Sequence, residues 1–335
     1  HLPPYIEVIF AKRQGVGNPV FTQNYYRWYV NANSQTPTDP WPSGATNLSE
    51  NEKITATSTP IKPGDILRLR MSVGVTNATT TATSTSFRLQ YGEGSDCSAV
   101  SSWSDVGQIA SSTIWRGYNN TSVADGSTLS STTLSVTDVA ESYEEENNST
   151  TTPNSIGVGE DGEWDWVIYD NGATSSTNYC FRMVESDGTV FNSYTRYPQV
   201  MTNNEPNSPT PVKLFDNEKV ASTTPWFEFY TTDDESDKVH YQIQVDDDNG
   251  FGSTIIDKDT ISNSSQFENT IVPADKAPYI QNNTIRFISG TTLANNTTYW
   301  WRIRAKDPNG SNTWGAWGAK KSFTIDTSVT LSTWF

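Results

Sequence analysis

Residues Asp65 to Thr76 read DILRLRMSVGVT, and this stretch decides the fold class. Leu67, Leu69, Met71, Val73 and Val75 fall at every second position, the period-2 mark of a half-buried strand. Working outward, Asn24–Asn31 (NYYRWYVN), Ser86–Tyr91 (SFRLQY), Glu163–Tyr169 (EWDWVIY) and Tyr179–Val184 (YCFRMV) repeat the theme. In EWDWV, Trp164 and Trp166 share one face and Glu163 and Asp165 the other, which is expected to be solvated. Asp-Gly pairs at Asp125, Asp161 and Asp187 and Asn-Gly pairs at Asn171, Asn249 and Asn309 supply residues that tolerate the positive φ of tight hairpins. No segment carries a 3.6-residue apolar period. The expectation is an all-β protein of two tandem β-sandwich domains.

The chain has 335 residues with a net charge of −16. Its acidity argues against nucleic acid, which requires clustered Lys and Arg, and against an anionic membrane surface. No apolar run approaches the roughly 20 residues that span a bilayer. The hydrophobic fraction is only 34%, yet there are 12 Trp, so the expected cores are thin and rich in aromatic rings. The chain opens at His1, which reads as the start of a product whose export signal has been removed. Two cysteines, Cys97 and Cys180, lie far apart and form no CxxC. One disulfide is the simplest reading; two unpaired thiols are the alternative.

The clearest boundary is Met201–Pro211 (MTNNEPNSPTP), read as a linker between residues 1–200 and 212–327. Thr76–Ser86 and Ser142–Pro153 read as long loops that do not pack.

From Val212 onward the chain resembles a fibronectin type III domain. Pro225–Phe229 (PWFEF) fits an early strand with a buried Trp226, Val239–Val245 a third strand, and Trp314-Gly-Ala-Trp317 with Lys321–Ile325 the last hairpin. Leu293 precedes Tyr299 by six residues, ahead of alternating Trp301, Ile303 and Ala305; this resembles the tyrosine corner, where the phenol bonds back to the main chain. The resemblance implies a spacer or binding module rather than an enzyme. Residues 1–200 resemble a β module found beside such domains in secreted surface proteins of uncultured bacteria, through Gly64–Met71 (GDILRLRM), Trp115–Tyr118 (WRGY), Asn154–Trp166 and Asn178–Val184 (NYCFRMV). That resemblance implies a location and no mechanism.

Little catalytic chemistry is signalled. The two histidines, His1 and His240, are terminal and mid-strand. A literal GxGxxG at Gly157–Gly162 precedes a strand, carries Glu160 and Asp161, and so does not fit a pyrophosphate. Glu163 and Asp165 are one carboxylate pair of the sort a glycosidase needs, but same-face strand neighbours are commonly just solvated. No cofactor is required; calcium is the one candidate. Asp233, Asp234 and Asp237, and Asp246, Asp247 and Asp248, offer dense oxygen donors in turns, with a solvated acidic rim as the alternative. Trp41, Trp103, Trp115 and Trp314 sit in polar, loop-like contexts where aromatic faces could stack on sugars, although most Trp in so polar a chain must fill cores.

These features rank a structural role first: an extracellular, cell-surface subunit of a filament, pilus-like fibre or surface layer, not an enzyme. Its main partner would be itself, with other surface proteins or glycans also open. The terminal apolar strands, with Tyr5, Ile6, Val8, Ile9 and Phe10 at one end and Val329, Leu331, Trp334 and Phe335 at the other, are candidates for completing a neighbour's sheet. An adhesin or carbohydrate-binding protein is the alternative, and an extracellular glycoside hydrolase ranks third.

Overall fold

The computed structural model describes residues 17–44, 47–55, 59–147, 152–308, 310 and 312–329. The regular elements among them are strands and two single-turn 3-10 helices, and no helix is long and apolar enough to cross a membrane. The buried apolar residues form one large cluster from Phe21 to Val200 and another from Leu214 to Ile325.

The first domain contains β1 (Val20–Val30), β2 (Ile66–Thr76), β3 (Phe87–Glu93), β4 (Ser104–Asp105), β5 (Trp115–Gly117), β6 (Val139–Glu144), β7 (Asp161–Asp170), β8 (Asn178–Glu185), β9 (Ser193–Tyr194) and β10 (Gln199–Met201). One sheet runs β5-β7-β2-β1-β9, with β6 parallel to β7; the other runs β10-β8-β3-β4. Leu69 of β2 faces Trp28 across one ladder and Trp166 across the other. Its inward neighbours meet an aromatic interior in which Phe87 lies edge-on to Trp164 and Trp115 edge-on to Phe181. Cys97, in a 3-10 turn after β3, is disulfide-bonded to Cys180 of β8.

The opposite face of β2 and β7 overturns the expectation of solvated acids. Arg68, Arg70, Glu163 and Asp165 have no solvent exposure. Residues 31–36 and the stretch from Tyr118 to Glu145 lie over them, and Leu129, Tyr143 and Val167 form a small second core there. Burying four charges is tolerable only when each is paired and hydrogen-bonded. Arg68 donates to Asp165 and to the carbonyls of Ala32, Ser34 and Gln35. Arg70 donates to Asp165, Glu163, Ser131 O and Gln35 O. Glu163 also accepts from the backbone N–H groups of Thr133 and Leu134 and the hydroxyls of Thr133 and Thr137. The two low-complexity stretches expected not to pack are part of this cover and its rim: Tyr143, Glu144 and Thr152 of the second are buried, and Thr80 of the first is buried where it bridges Ile156.

The second domain contains β11 (Thr210–Lys213), β12 (Glu218–Val220), β13 (Trp226–Tyr230), β14 (His240–Asp246), β15 (Ile256–Asp259), β16 (Phe267–Asn269), β17 (Ile285–Ile288), β18 (Thr298–Lys306) and β19 (Lys321–Ile325). Its sheets run β11-β13-β17-β16 and β12-β19-β18-β14-β15. This is the two-sheet order of a fibronectin type III or immunoglobulin-like sandwich, with the first strand split between the sheets. Tyr299 Oη accepts from Ala294 N at 2.9 Å, and Leu293 is buried beside it. Tyr179 Oη takes the same bond from Thr174 N at 3.0 Å, a second corner in the first domain that sequence reading missed. Trp226 does not enter the core. Phe227 and Phe229 point inward, so the two-residue alternation sends Trp226 outward, where Lys213 and Arg286 cover its ring.

Met201 closes β10 and Thr210 opens β11, so the connection is Thr202–Pro209, shorter than the 201–211 read from composition.

Candidate functional site

The connection between the sandwiches is bonded on both sides. Asn203 N donates to Ile61 O, and Asn203 O accepts from Ser175 Oγ and Ser176 N in the first domain. Asn204 Nδ2 reaches Glu235 Oε1 at 2.8 Å, Asn207 N reaches Thr232 O, and Glu205 Oε1 accepts from Thr313 Oγ1 at 3.0 Å in the second. The loop from β13 to β14 and the loop from β18 to β19 therefore flank the connection, as they do at the pole of the sandwich where its first strand begins. A cavity of about 500 Å³ opens there, lined by Ile61, Ala173, Ser175, Asn203, Glu205 and Thr313 among others.

Oxygen acceptors gather at this pole. Asn203 is 5% exposed and its Oδ1 has no hydrogen-bond partner. A Cβ placed on Gly310 would collide with both Asn203 Oδ1 and Asp307 Oδ2, so these two oxygens converge and only a glycine fits between them. Asp233, 4% exposed, accepts from Glu235 N and Asp237 N through Oδ1 while Oδ2 has no partner. Glu235 Oε2 is likewise without one. Burial and then the neighbouring Asp233 push the Glu235 carboxyl up to about 7.

The structure separates the two acidic runs. Asp233, Asp234 and Asp237 precede β14, whereas Asp246, Asp247 and Asp248 follow it, roughly 20 Å away along seven strand residues. Asp246 caps its turn through Asp247 N and Ser253 N, and Asp248 takes Gly250 N. Asn203, Asn204, Glu205 and Asp307, polar residues of the same pole, were missed; of these Asn204 bonds Glu235 beside the first run. Their only sequence signals are the adjacent asparagines of the connection and the Asp307-Pro-Asn-Gly turn.

The tryptophans read as sugar platforms divide. Trp115 is fully buried in β5, and Trp41 is packed in the first core with its indole N–H on Thr59 O, so neither offers a face. This corrects their reading as exposed; short strands and extended covers look loop-like in sequence. Trp103 is half-buried, with Arg182 4.2 Å from its ring centroid and Tyr197 stacked beside it. Trp314 belongs to a ladder on the outer face of β18: Phe251, Arg302, Trp317, Arg304, Trp314 and Lys306 alternate ring and cation.

Glu163 and Asp165 are saturated by donors in the interior and face no cleft. At Gly157–Gly162 a turn leads into β7, and Glu160 accepts from Gly157 N. His240 bonds Thr260 at 2.9 Å. Of the terminal assembly residues, Val329 lies in a turn on Asp326 O; Tyr5, Ile6, Val8, Ile9, Phe10, Leu331, Trp334 and Phe335 lie outside the described residues.

No family model and no curated protein matches the chain. Among solved structures it is similar to the FN1-FN3 domains of chicken CNTN1, with 11% identity over 80% of this chain and 68% of that one and a TM-score of 0.23. A second, Rst D1-D2, shows 10% identity over 79% of this chain and 92% of that one, with a TM-score of 0.20. At such scores neither adds to the fold assignment, which rests on strand order and on the two cores.

Proposed function

We propose that the chain is an extracellular structural protein, a subunit of a cell-surface filament, fibre or layer that self-associates through sheet edges. The observation that carries this reading is the open side of the second sandwich. Edge strands β15 and β16, consecutive in the chain, each end a sheet. Both are flanked by exposed aliphatic side chains: Ile255 and Ile261 (54%) at β15, Ile271 (63%) and Val272 at β16. Unpaired N–H and C=O groups beside apolar side chains recruit another strand; the charges of these short edges, Asp257, Lys258, Asp259 and Glu268, lie within the strands and the aliphatic side chains flank them. The disulfide and the immunoglobulin-like fold support an oxidising, extracellular setting. A connection bonded to both sandwiches suits a subunit that transmits tension better than a loose tether does.

Negative-stain electron microscopy and light scattering of the purified chain test the reading. Regular fibres or sheets are expected, and Ile261→Lys with Ile271→Lys should disperse them. Single particles at every concentration tried, or assemblies indifferent to both substitutions, would remove the edge mechanism.

A further inference from the structure

We propose that the ladder of cations and rings on the outer face of β18 docks a second copy of this chain, through the acidic free pole of that copy's first sandwich. The contact rests on the assembly reading and supplies what that reading lacks. Edge strands that meet their own copies across a two-fold axis close into a dimer, whereas a fibre or layer needs a contact between two different surfaces.

Three cations on this face lack a counter-charge. Arg302, Arg304 and Lys306 sit at alternate positions of β18, about 7 Å apart. Each is half-buried, and among the described residues none of them forms an ion pair. The Trp317 ring centroid lies 4.4 Å from each guanidinium carbon, and Trp314 is shared by Arg304 and Lys306. Arg302 donates to Gln244 Oε1 and Arg304 to Gln242 Oε1, neutral acceptors whose own amides donate to Asp257. Burial draws both guanidinium groups below their ordinary pKa, and Asp257, at the end of that relay, is the carboxylate that opposes it. A chain of net charge −16 offers acidic surface to such a column on every copy of itself. Arginine and tryptophan are also the side chains enriched at the centres of interfaces.

A partner for cations interleaved with rings needs carboxylates interleaved with apolar area. The first sandwich carries both at the pole where β7 begins. There Asp138 N donates to Asp161 O, Asp138 Oδ2 accepts from Asp161 N at 3.0 Å, and Glu160 closes the turn into β7. Asp138 and Glu160 are exposed, and Val136 and Val158 beside them are 49% and 58% exposed. Arg196 lines a cavity with Val136 and Asp161, yet among the described residues none of the three carboxylates is ion-paired. The other end of β7, Asp170, holds Ala173 at the connection, so this pole lies about 30 Å away at the free end of the sandwich. A pole that meets a flank is a contact between unlike surfaces, the kind that builds rings or open filaments. The competing arrangement leaves the ladder as a brace that pins the Trp314–Trp317 loop to the sheet and touches no partner.

Sedimentation and light scattering of the full chain test the contact in about 0.1 M and about 1 M sodium chloride, between which the screening length falls from about 10 Å to about 3 Å. Assemblies larger than a dimer are expected in the dilute salt and dimers in the concentrated one. Lys306→Glu, and separately Asp138→Lys with Glu160→Lys, should each weaken growth beyond the dimer by about tenfold or more. Lys306→Glu combined with Glu160→Lys should restore much of it. Asp138 and Glu160 are exposed, so the pole variant keeps the test valid if Lys306→Glu upsets the packing of the ladder. Large assemblies that ignore salt and both charge reversals, but vanish with Ile261→Lys and Ile271→Lys, would keep the edges and reduce the ladder to a brace. Growth that survives the isoleucine substitutions and is lost on either charge reversal would uphold the ladder contact and remove the edges. Growth lost on charge reversal and not restored by the swap would overturn this pole as the partner. A monomer under every condition would overturn both contacts.

Discussion

Arg70 Nε donates to Asp165 Oδ2 at 2.7 Å across the β2–β7 ladder, and neither side chain reaches solvent. The two residues are directly opposite in register. Asp165 also carries Arg68, so one carboxylate neutralises parts of two buried guanidinium groups. Asp165→Leu should therefore cost about 3–5 kcal/mol, because it strands Arg68 and leaves Arg70 with Glu163 alone. Replacing Arg68 by methionine in the same variant, with Arg70 kept as the partner of Glu163, should recover part of that loss. Urea midpoints measure both; a single variant as stable as the parent would mean that water reaches the cluster.

Stability should fall as pH rises through neutrality. Burial pushes the carboxyls of Glu141 and Glu144 up to about 8 and that of Asp170 up to about 6. Unfolded glutamate titrates near pH 4.3, so between these values the folded chain binds more protons than the unfolded one. The linkage slope is then negative: this stabilisation is complete below the unfolded value and is lost as pH passes the folded one. Melting temperatures between about pH 5 and pH 8 should show the decline, and Glu141→Gln should flatten it. A slope identical in parent and in both Glu141→Gln and Glu144→Gln would show that general charge repulsion causes it.

Cys97 and Cys180 are 83 positions apart, and closing so long a loop restricts the unfolded chain. The chain-entropy model gives about 4–5 kcal/mol for that length. Reduction, or Cys97→Ser with Cys180→Ser, should lower the urea midpoint accordingly. Thiol titration of unreduced, denatured protein should find none; two reactive thiols would contradict the bond.

Tyr179 and Tyr299 each accept a main-chain N–H five residues upstream. Tyr179→Phe and Tyr299→Phe should each lose about 0.5–1.5 kcal/mol, the net worth of one hydrogen bond, since Thr174 and Ala294 are exposed and water can take the freed N–H. Equal denaturation midpoints for parent and variants would show that ring packing alone matters at these corners.

Legibility followed locality. DILRLRM and EWDWV announced their strands because alternation is written into consecutive residues, and Leu293-x5-Tyr299 announced its corner because donor and acceptor are five residues apart. The polar face of EWDWV was misread because alternation says which residues share a face, not what covers it. The cover is Ser-, Thr- and Glu-rich and shows no apolar pattern. One signal was available: Arg68 and Arg70 on β2 have the same two-residue spacing as Glu163 and Asp165 on β7.

The sequence by itself determined the all-β class, the inward apolar sets of the clearly alternating strands β2 and β18 and the single pair of cysteines, because each depends on spacing or on count. Only the tertiary structure decided the fate of the polar residues. Glu163 and Asp165 became interior because a distant stretch folds over them, and Asn203 met Asp307 because the connection enters beside a loop about a hundred residues further on. Polar side chains carry no period that marks them as buried; burial is set by whichever partner cancels the cost of losing water, and long-range topology brings that partner in.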